Sequence, residues 1–255
     1  MSAGIDPPVA LVTGAARRIG RAIALRLARE GYAVALHCSQ SLQEAQSLQK
    51  SIEISGGRAV VLQADLADAD SCARLISDCF DKFGSLALLV NNASIFEADD
   101  AESFTLESLS GHLDINLRAP LLLARDMAKA LPAETSASVV NILDQRVAKL
   151  TPQFFSYTLS KSALETATHL MAQSLAPRLR VNSVAPGPTF ANIRQSPEDF
   201  AAQAAATPLG EPIAAEEIAD AVIYLANARS VTGQTIFVDA GQRLAWKTID
   251  VAGSE

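Results

Sequence analysis

Apolar positions along the chain fall into two textures that alternate. Short runs of β-branched and aliphatic residues, VALVT (9–13), AVALHC (33–38), AVVLQA (59–64), LALLVNN (86–92), SVVNIL (138–143), LRVNSVA (179–185) and TIFVD (235–239), read as seven strands. Between them, apolar residues recur every three or four positions over 18–30, 41–55, 68–83, 105–130, 155–176 and 214–227, the pattern of amphipathic helices, several of which stop at glycine. Strands apolar on both faces and separated by helices imply a parallel sheet covered on both sides, with right-handed crossovers. The expected fold is therefore α/β: a single domain over 1–255 built on a doubly wound, Rossmann-like, seven-stranded parallel sheet. Ligands in that architecture bind beyond the carboxyl ends of the strands, where strand order reverses. Chemistry is to be sought just after each strand.

Composition changes this picture little. The chain of 255 residues is 49% apolar and 19% charged, enough for a substantial core and unlike a disordered segment. Its net charge of -7, with the basic residues scattered, argues against a nucleic-acid surface. Cys38, Cys72 and Cys79 lack C-x-x-C spacing and His37, His112 and His169 form no ligand cluster, so neither a disulfide framework nor a metal site is expected. The opening MSAGIDPPVA has no basic and apolar leader pattern, and no run of about 18 apolar residues occurs. A cytoplasmic protein without membrane contact is the expectation.

After the first strand comes GAARRIGRAIALRLARE. Gly14 allows a tight turn, Gly20 lies near the start of a helix beside Ile19, and a helix N-terminus offers free N–H groups to a pyrophosphate. Arg17 and Arg18 add two cations at that mouth, favouring a ligand with an additional phosphate. The second strand ends in HCSQS, so His37, Ser39, Gln40 and Ser41 stand where an acid would hold the ribose hydroxyls of NAD. With no acid before Glu44, NADP(H) is the favoured cofactor.

Further along, NILDQRVAKLTPQFFSYTLSK (141–161) ends in Tyr157 and Lys161, one helical turn apart, with Asp144 thirteen residues before the tyrosine. An ammonium beside a phenol draws the phenol's pKa down toward working pH, which suits a general acid, while Asp144 next to it would raise that pKa, so the three should titrate as a coupled unit. The same spacing also describes a surface pair. Asp144 either orients Tyr157 and replenishes its proton or caps a turn after the fifth strand.

These motifs, TGAARRIG, QADL (63–66), NNAS (91–94), DINLRAP (114–120), Tyr157 with Lys161, and APGPT (185–189), together resemble the short-chain dehydrogenase/reductase family over nearly the whole chain. The resemblance implies that Asp65 and Leu66 contact adenine, that Asn91 and Ala93 line the cofactor, and that Asn116 supports a water relaying protons to Lys161. It implies further that Lys161 grips the nicotinamide ribose, that Tyr157 donates a proton, and that Pro186, Gly187 and Thr189 shape the nicotinamide pocket. Two departures stand out: Arg18 replaces the middle glycine of the phosphate turn, and Asp144 replaces the usual serine. Their combination resembles the pteridine reductase subgroup, which includes dihydromonapterin reductases, and Ser94 and Phe96 match the segment that binds the pterin there. A ketone reductase stabilises an alkoxide with a serine hydroxyl, whereas reduction of a pterin C=N needs a proton at ring nitrogen, for which a carboxyl group is better suited.

The expected activity is NADPH-dependent reduction of a dihydropterin, with Arg18, Ser94, Phe96, Asp144 and Tyr157 around the substrate and 189–212 as the substrate loop. The alternatives are a reductase of a ketone or a 3-oxoacyl thioester, and a silent NADP(H)-binding sensor or scaffold. The helices at 105–130 and 155–176 resemble the family's dimerising pair, so a homotetramer is expected. KTIDVAGSE (247–255) reads as a tail or a subunit contact.

Overall fold

The computed structural model describes residues 6–192 and 194–246. Seven strands, β1 (Val9–Val12), β2 (Ala33–Cys38), β3 (Ala59–Gln63), β4 (Leu88–Asn91), β5 (Ala137–Ile142), β6 (Leu179–Pro186) and β7 (Thr235–Val238), form one sheet in the order β3-β2-β1-β4-β5-β6-β7. Every neighbouring pair is parallel, with registers such as Val9 opposite Ala33 and Leu88 opposite Ser138. The chain winds outward from β1 to β3, returns, and winds the other way from β4. Strand order thus reverses between β1 and β4, which opens a crevice at their carboxyl ends.

Alternation along each strand divides the core in two. Val9, Leu11, Ala35, Leu89, Val139 and Val181 face α3 (Ala69–Phe83) and α5 (Ala119–Ala130), whose Leu75, Ile76, Leu123 and Met127 are buried on that side. Ala10, Val12, Val34, Leu36, Val90, Val140 and Val184 face α1 (Arg18–Arg29), α2 (Leu42–Ile54) and α8 (Ala215–Asn227), which supply Ile23, Leu27, Leu48, Ile52, Ile218 and Val222. Each such large side chain, withdrawn from water, contributes about 2 kcal/mol. An apolar run with no polar alternation is what two covered faces demand.

Two segments depart from expectation. The helix expected over 105–130 is α4 (Leu106–Leu113) and α5, joined through a π-helical turn at Asp114–Arg118. Pro120 has no N–H to give the Asn116 carbonyl four residues back, and here the ladder widens: the Ala119 N–H reaches the Asp114 carbonyl instead. The 189–212 segment, expected as loop, contains α7 (Pro197–Ala205). Its start carries a full set of signals: Ser196 caps the Asp199 N–H at 3.0 Å, Pro197 occupies the first turn, and Glu198 and Asp199 complement the helix dipole. Helix α6 (Phe155–Ser174) matches its expected span to within two residues. The 247–255 segment lies outside the described residues. Among the described residues no helix is long and apolar enough to cross a membrane.

Candidate active site

A cleft of about 720 Å³ opens above the crevice between β1 and β4. It gathers residues from distant stretches: Arg18 and Ile19 from the first turn, Ser94 and Phe96 from the segment after β4, Asp144 after β5, Tyr157 and Lys161 on α6, and Pro186, Gly187 and Thr189 after β6.

At its floor, the Tyr157 hydroxyl donates to Asp144 Oδ2 at 3.1 Å. The other carboxyl oxygen of Asp144 accepts the Arg146 N–H at 2.8 Å and caps the short 3-10 turn Gln145–Val147. Asp144 therefore touches the phenol with one oxygen and caps the turn with the other. Lys161 is 2% exposed and its ammonium donates to the Ile142 carbonyl at 2.8 Å.

The expected depression of the tyrosine's pKa by Lys161 does not occur. Burial raises the Tyr157 pKa well above the usual 10, and the adjacent Asp144 adds to the rise, with only Arg146 opposing. The ammonium is bound to a backbone carbonyl, 5.8 Å from the phenol ring centre, and is too far to outweigh a carboxyl group in direct contact. Burial lowers the Lys161 pKa to about 8, with Asp144 opposing. Tyr157 thus holds its proton across the working range.

Asn116 is fully buried and all its side-chain hydrogen-bonding capacity is committed to protein. Its Oδ1 accepts from Ser94 Oγ and the Ile95 N–H, each at 3.0 Å, and its Nδ2 donates to the Ile95 carbonyl at 3.1 Å and to Ser160 Oγ at 3.0 Å. The side chain expected to support a water instead pins the Ser94–Phe96 segment to α6.

Asn91 is also displaced from its expected place. It is buried between β4 and β5, donating to Asn141 Oδ1 at 2.9 Å. The next residue, Asn92, reaches the turn, donating to the carbonyls of Thr13 and Gly14 at 2.9 and 3.1 Å. Thr13 Oγ1 accepts the N–H groups of Asn92 and Ala93 at 2.9 and 3.0 Å and completes the clasp between β1 and β4. Neither Thr13 nor Asn92 was singled out in the sequence.

The first turn fits a pyrophosphate. Helix α1 begins with Arg17 as an uncapped N-cap and no acid in its first turn, so no side chain competes for its leading N–H groups. Gly14 adopts φ +62, and a Cβ on Gly20 would lie 2.2 Å from the Gly14 carbonyl oxygen. Gly187 also allows a close approach, since a Cβ there would lie 2.8 Å from Asp239 Cα. Ser39 and Gln40 are exposed and Ser41 half-buried at the end of β2; Asp65 is exposed and accepts the Ala67 N–H, while Leu66 turns into the core. Arg17 pairs with Glu44 across the mouth at 2.5 Å, both exposed, an interaction worth under about 1 kcal/mol.

Phe96 stacks on Phe154 with ring centres 4.2 Å apart and planes 11° from parallel, and meets Tyr157 edge-on at 4.7 Å. Phe154 holds a left-handed backbone, φ 56, at the start of α6, which no sequence signal announced. The aromatic plate is thus two rings thick, with one face of Phe96 covered by Phe154.

The family model described as enoyl-(acyl carrier protein) reductase matches residues 14–243. The chain belongs to the short-chain dehydrogenase/reductase family. An uncharacterised oxidoreductase of Methylorubrum extorquens is 35% identical over 94% of this chain and 99% of its own length. A 3-oxoacyl-(acyl-carrier-protein) reductase of Staphylococcus aureus is 33% identical over 91% and 96%. Among solved structures, FolM alternative dihydrofolate reductase 1 from Brucella canis, complexed with NADP, superposes with a TM-score of 0.93 at 48% identity, covering 97% of this chain and 98% of that one.

Within this reductase fold, His37 occupies a position beneath the phosphate turn. It is 2% exposed, its Nδ1 accepts the Gly14 N–H at 3.1 Å and its Nε2 faces the Ala64 carbonyl at 3.2 Å, which assigns the proton to Nε2. It ties the turn to the end of β3 rather than lining the cleft. Burial lowers its pKa from 6.5 to about 4. The unfolded chain therefore takes up this proton at higher pH than the folded one does, so the contribution is complete above pH 6.5 and is lost as pH falls toward 4. Urea unfolding is expected to show about 2 kcal/mol less stability from this group at pH 5 than at pH 7. His37→Gln should remove that component of the slope.

Arg18 also has a left-handed backbone, φ 51, at the position where the family's glycine is replaced. That conformation costs an arginine about 1 kcal/mol. In return, its guanidinium donates to the Phe190 carbonyl at 3.2 Å and lies 5.1 Å from the Phe190 ring centre, holding the 189–212 segment to the phosphate turn. Arg18→Gly should leave the melting temperature nearly unchanged, since relief of strain offsets the lost contact. Amide exchange around Phe190 should quicken by about tenfold, corresponding to ~1.4 kcal/mol of local stability.

Proposed function

We propose that this NADP(H)-dependent short-chain oxidoreductase reduces a dihydropterin to its tetrahydro form. The observation that carries the reading is the 3.1 Å hydrogen bond from Tyr157 to Asp144 in a cleft where an aromatic plate, Phe96 on Phe154, stands beside the phenol. The similarity to the Brucella FolM structures, 48% and 49% identical and bound to NADP, supports both cofactor and substrate class.

When bound, NADPH supplies the hydride. Residues of the first turn and of β2's end, Gly14, Arg17, Arg18, Ile19, Gly20, Ser39, Gln40 and Ser41, would hold its phosphates, with Asp65, the backbone of Leu66 and Ala93 along its length and Pro186, Gly187 and Thr189 at the nicotinamide end. Lys161 presents a buried ammonium to the ribose. Tyr157 and Asp144 act as one proton-holding unit, because the carboxyl group in contact with the phenol strengthens the phenol's hold on its proton. Loss of that proton to the ring nitrogen adjacent to the reduced carbon completes the reaction, and solvent restores it through the carboxyl group. Phe96 and Ser94 fix the plane of the heterocycle.

A homotetramer belongs to the same reading. An apolar groove along α5 and α6, lined by Leu121, Ala128, Met171 and Leu175, supports it.

The test is NADPH oxidation with 7,8-dihydrobiopterin and dihydromonapterin against acetoacetyl thioesters. The proposal expects turnover of the pterins. Turnover of thioesters alone would assign the chain to the activity named for its Staphylococcus relative, and cofactor binding without turnover of either would make it a sensor or scaffold.

A further inference from the structure

The Phe154 backbone lies in the left-handed region, φ 56, at the N-cap of α6, a conformation that bulky residues rarely adopt, and its apolar side chain cannot cap the helix. The caps come from elsewhere. Asp99, in the segment after β4, accepts the Phe155 N–H with its carbonyl at 3.2 Å and the Ser156 N–H with Oδ1 at 3.1 Å, so two leading N–H groups of α6 are satisfied from outside the helix. Its Oδ2 accepts from Ser108 Oγ on α4 at 3.3 Å. With the first turn secured in this way, Phe154 turns its ring onto Phe96.

The neighbouring segment is held as closely. His112, fully buried on α4, accepts the Glu97 N–H at Nε2 over 3.3 Å, while its Nδ1 faces the Ser108 carbonyl at 2.8 Å, which assigns the proton to Nδ1. The same imidazole meets the Tyr157 ring edge-on, with ring centres 6.3 Å apart. Before Phe96 the Ile95 N–H is taken by Asn116, and the Phe96 carbonyl itself accepts an N–H of Arg194 at 3.1 Å. Neither Asp99 nor His112 lines the cleft.

An unfavourable backbone conformation persists only where its surroundings over-determine it, and such positions gather at functional sites. We infer that Asp99 and His112 are positioning residues that brace the two-ring plate from behind and set its place against Tyr157. The inference rests on the pterin reading above, in which a flat heterocycle lies on Phe96. Asp99 acts on Phe154 through the start of α6, and His112 acts on the Phe96 segment and on the phenol ring at once. Neither meets the substrate, so their loss weakens its binding without removing a group that transfers hydride or proton.

Steady-state kinetics with 7,8-dihydrobiopterin and saturating NADPH test the brace in Asp99→Ala and His112→Leu, set beside Asp99→Asn and His112→Gln, whose amide oxygens still accept the Ser156 and Glu97 N–H groups. The alanine and leucine variants should raise KM about tenfold while kcat stays within about threefold and the Kd for NADPH is retained. The asparagine and glutamine variants should return KM toward the wild-type value. A part that only supports the fold would lower the melting temperature and, through the active fraction, kcat, leaving KM unmoved. Wild-type KM in both Asp99→Ala and His112→Leu, whatever becomes of kcat, overturns the brace while the pterin reading survives. Asp99 is only half-buried, so its variants carry the test if the fully buried His112 does not tolerate leucine. If the wild-type enzyme reduces no pterin, the pterin reading falls and crystal structures of the same variants with NADP decide: Phe96 and Phe154 parted from their 4.2 Å stack support the brace, and an intact stack overturns it.

Discussion

Replacing Asp144 by alanine is expected to lower pterin turnover by about 10² or more while NADPH affinity is retained, the size of a lost acid/base contribution. The expectation follows from the position of the carboxyl group: one oxygen accepts the Tyr157 hydroxyl and neither faces the phosphate turn. Because Asp144 also caps the Gln145–Val147 turn, the alanine variant should lose about 1 kcal/mol of stability as well. Asp144→Asn separates the two roles, since the amide oxygen still caps the Arg146 N–H while the amide nitrogen in place of the other oxygen neither accepts from Tyr157 nor takes up a proton. Stability should return in the asparagine variant and turnover should not. Removing the carboxyl group should also lower the pKa of Tyr157, because two of the three influences raising it come from Asp144. If Asp144→Ala turns over pterin as fast as the wild type, the aspartate is a turn cap and nothing more.

Gly20→Ala should abolish useful cofactor binding. The added Cβ would lie 2.2 Å from the Gly14 carbonyl oxygen and 2.6 Å from Asn92 Nδ2. The first of these is backbone in a turn whose own glycine sits at φ +62, so the turn must open and the Asn92 clasp to Thr13 and Gly14 must break. Overpacking of this kind costs about 2 to 3 kcal/mol. If that strain is relieved by distorting the phosphate turn, the dissociation constant for NADPH rises by roughly 30- to 150-fold. The melting temperature should fall by about 5 to 10 °C. Fluorescence titration with NADPH and a thermal melt measure both. Wild-type affinity in the variant would show that the turn yields without cost.

The sheet was legible in the sequence because burial on two faces leaves an unbroken apolar run, and seven such runs survive in the structure as seven parallel strands. The location of the cleft followed from the same pattern, the shared helix face of Tyr157 and Lys161 from their spacing, and the place of Asp144 near the tyrosine from the family resemblance. What escaped has identifiable causes. The π-turn at Asp114–Arg118 inserts one residue into a helix without altering its amphipathic period enough to be seen, although Pro120 marked the spot. Helix α7 was signalled by Ser196, Pro197, Glu198 and Asp199, but proline and glycine nearby made the whole stretch read as loop.

The choice of Asn91 over Asn92 is a one-residue matter, and in a strand one residue exchanges interior for cleft. The rise that Asp144 imposes on the tyrosine's pKa is present and the fall expected from Lys161 is not, because spacing shows which charges are near, not how deeply the phenol is buried or that the lysine is tied to a carbonyl. Arg146, Phe154 and Arg194 assemble only in three dimensions; their separation along the chain gives no period to read.

The most direct measurement is a crystal structure of the ternary complex with NADP and a dihydropterin. The heterocycle is expected between the nicotinamide and Phe96, with the ring nitrogen beside the reducible carbon within about 3.2 Å of the Tyr157 hydroxyl. A pterin bound elsewhere, or one whose nitrogen faces away from Tyr157 with the Asp144 contact broken, would contradict the proposed reduction.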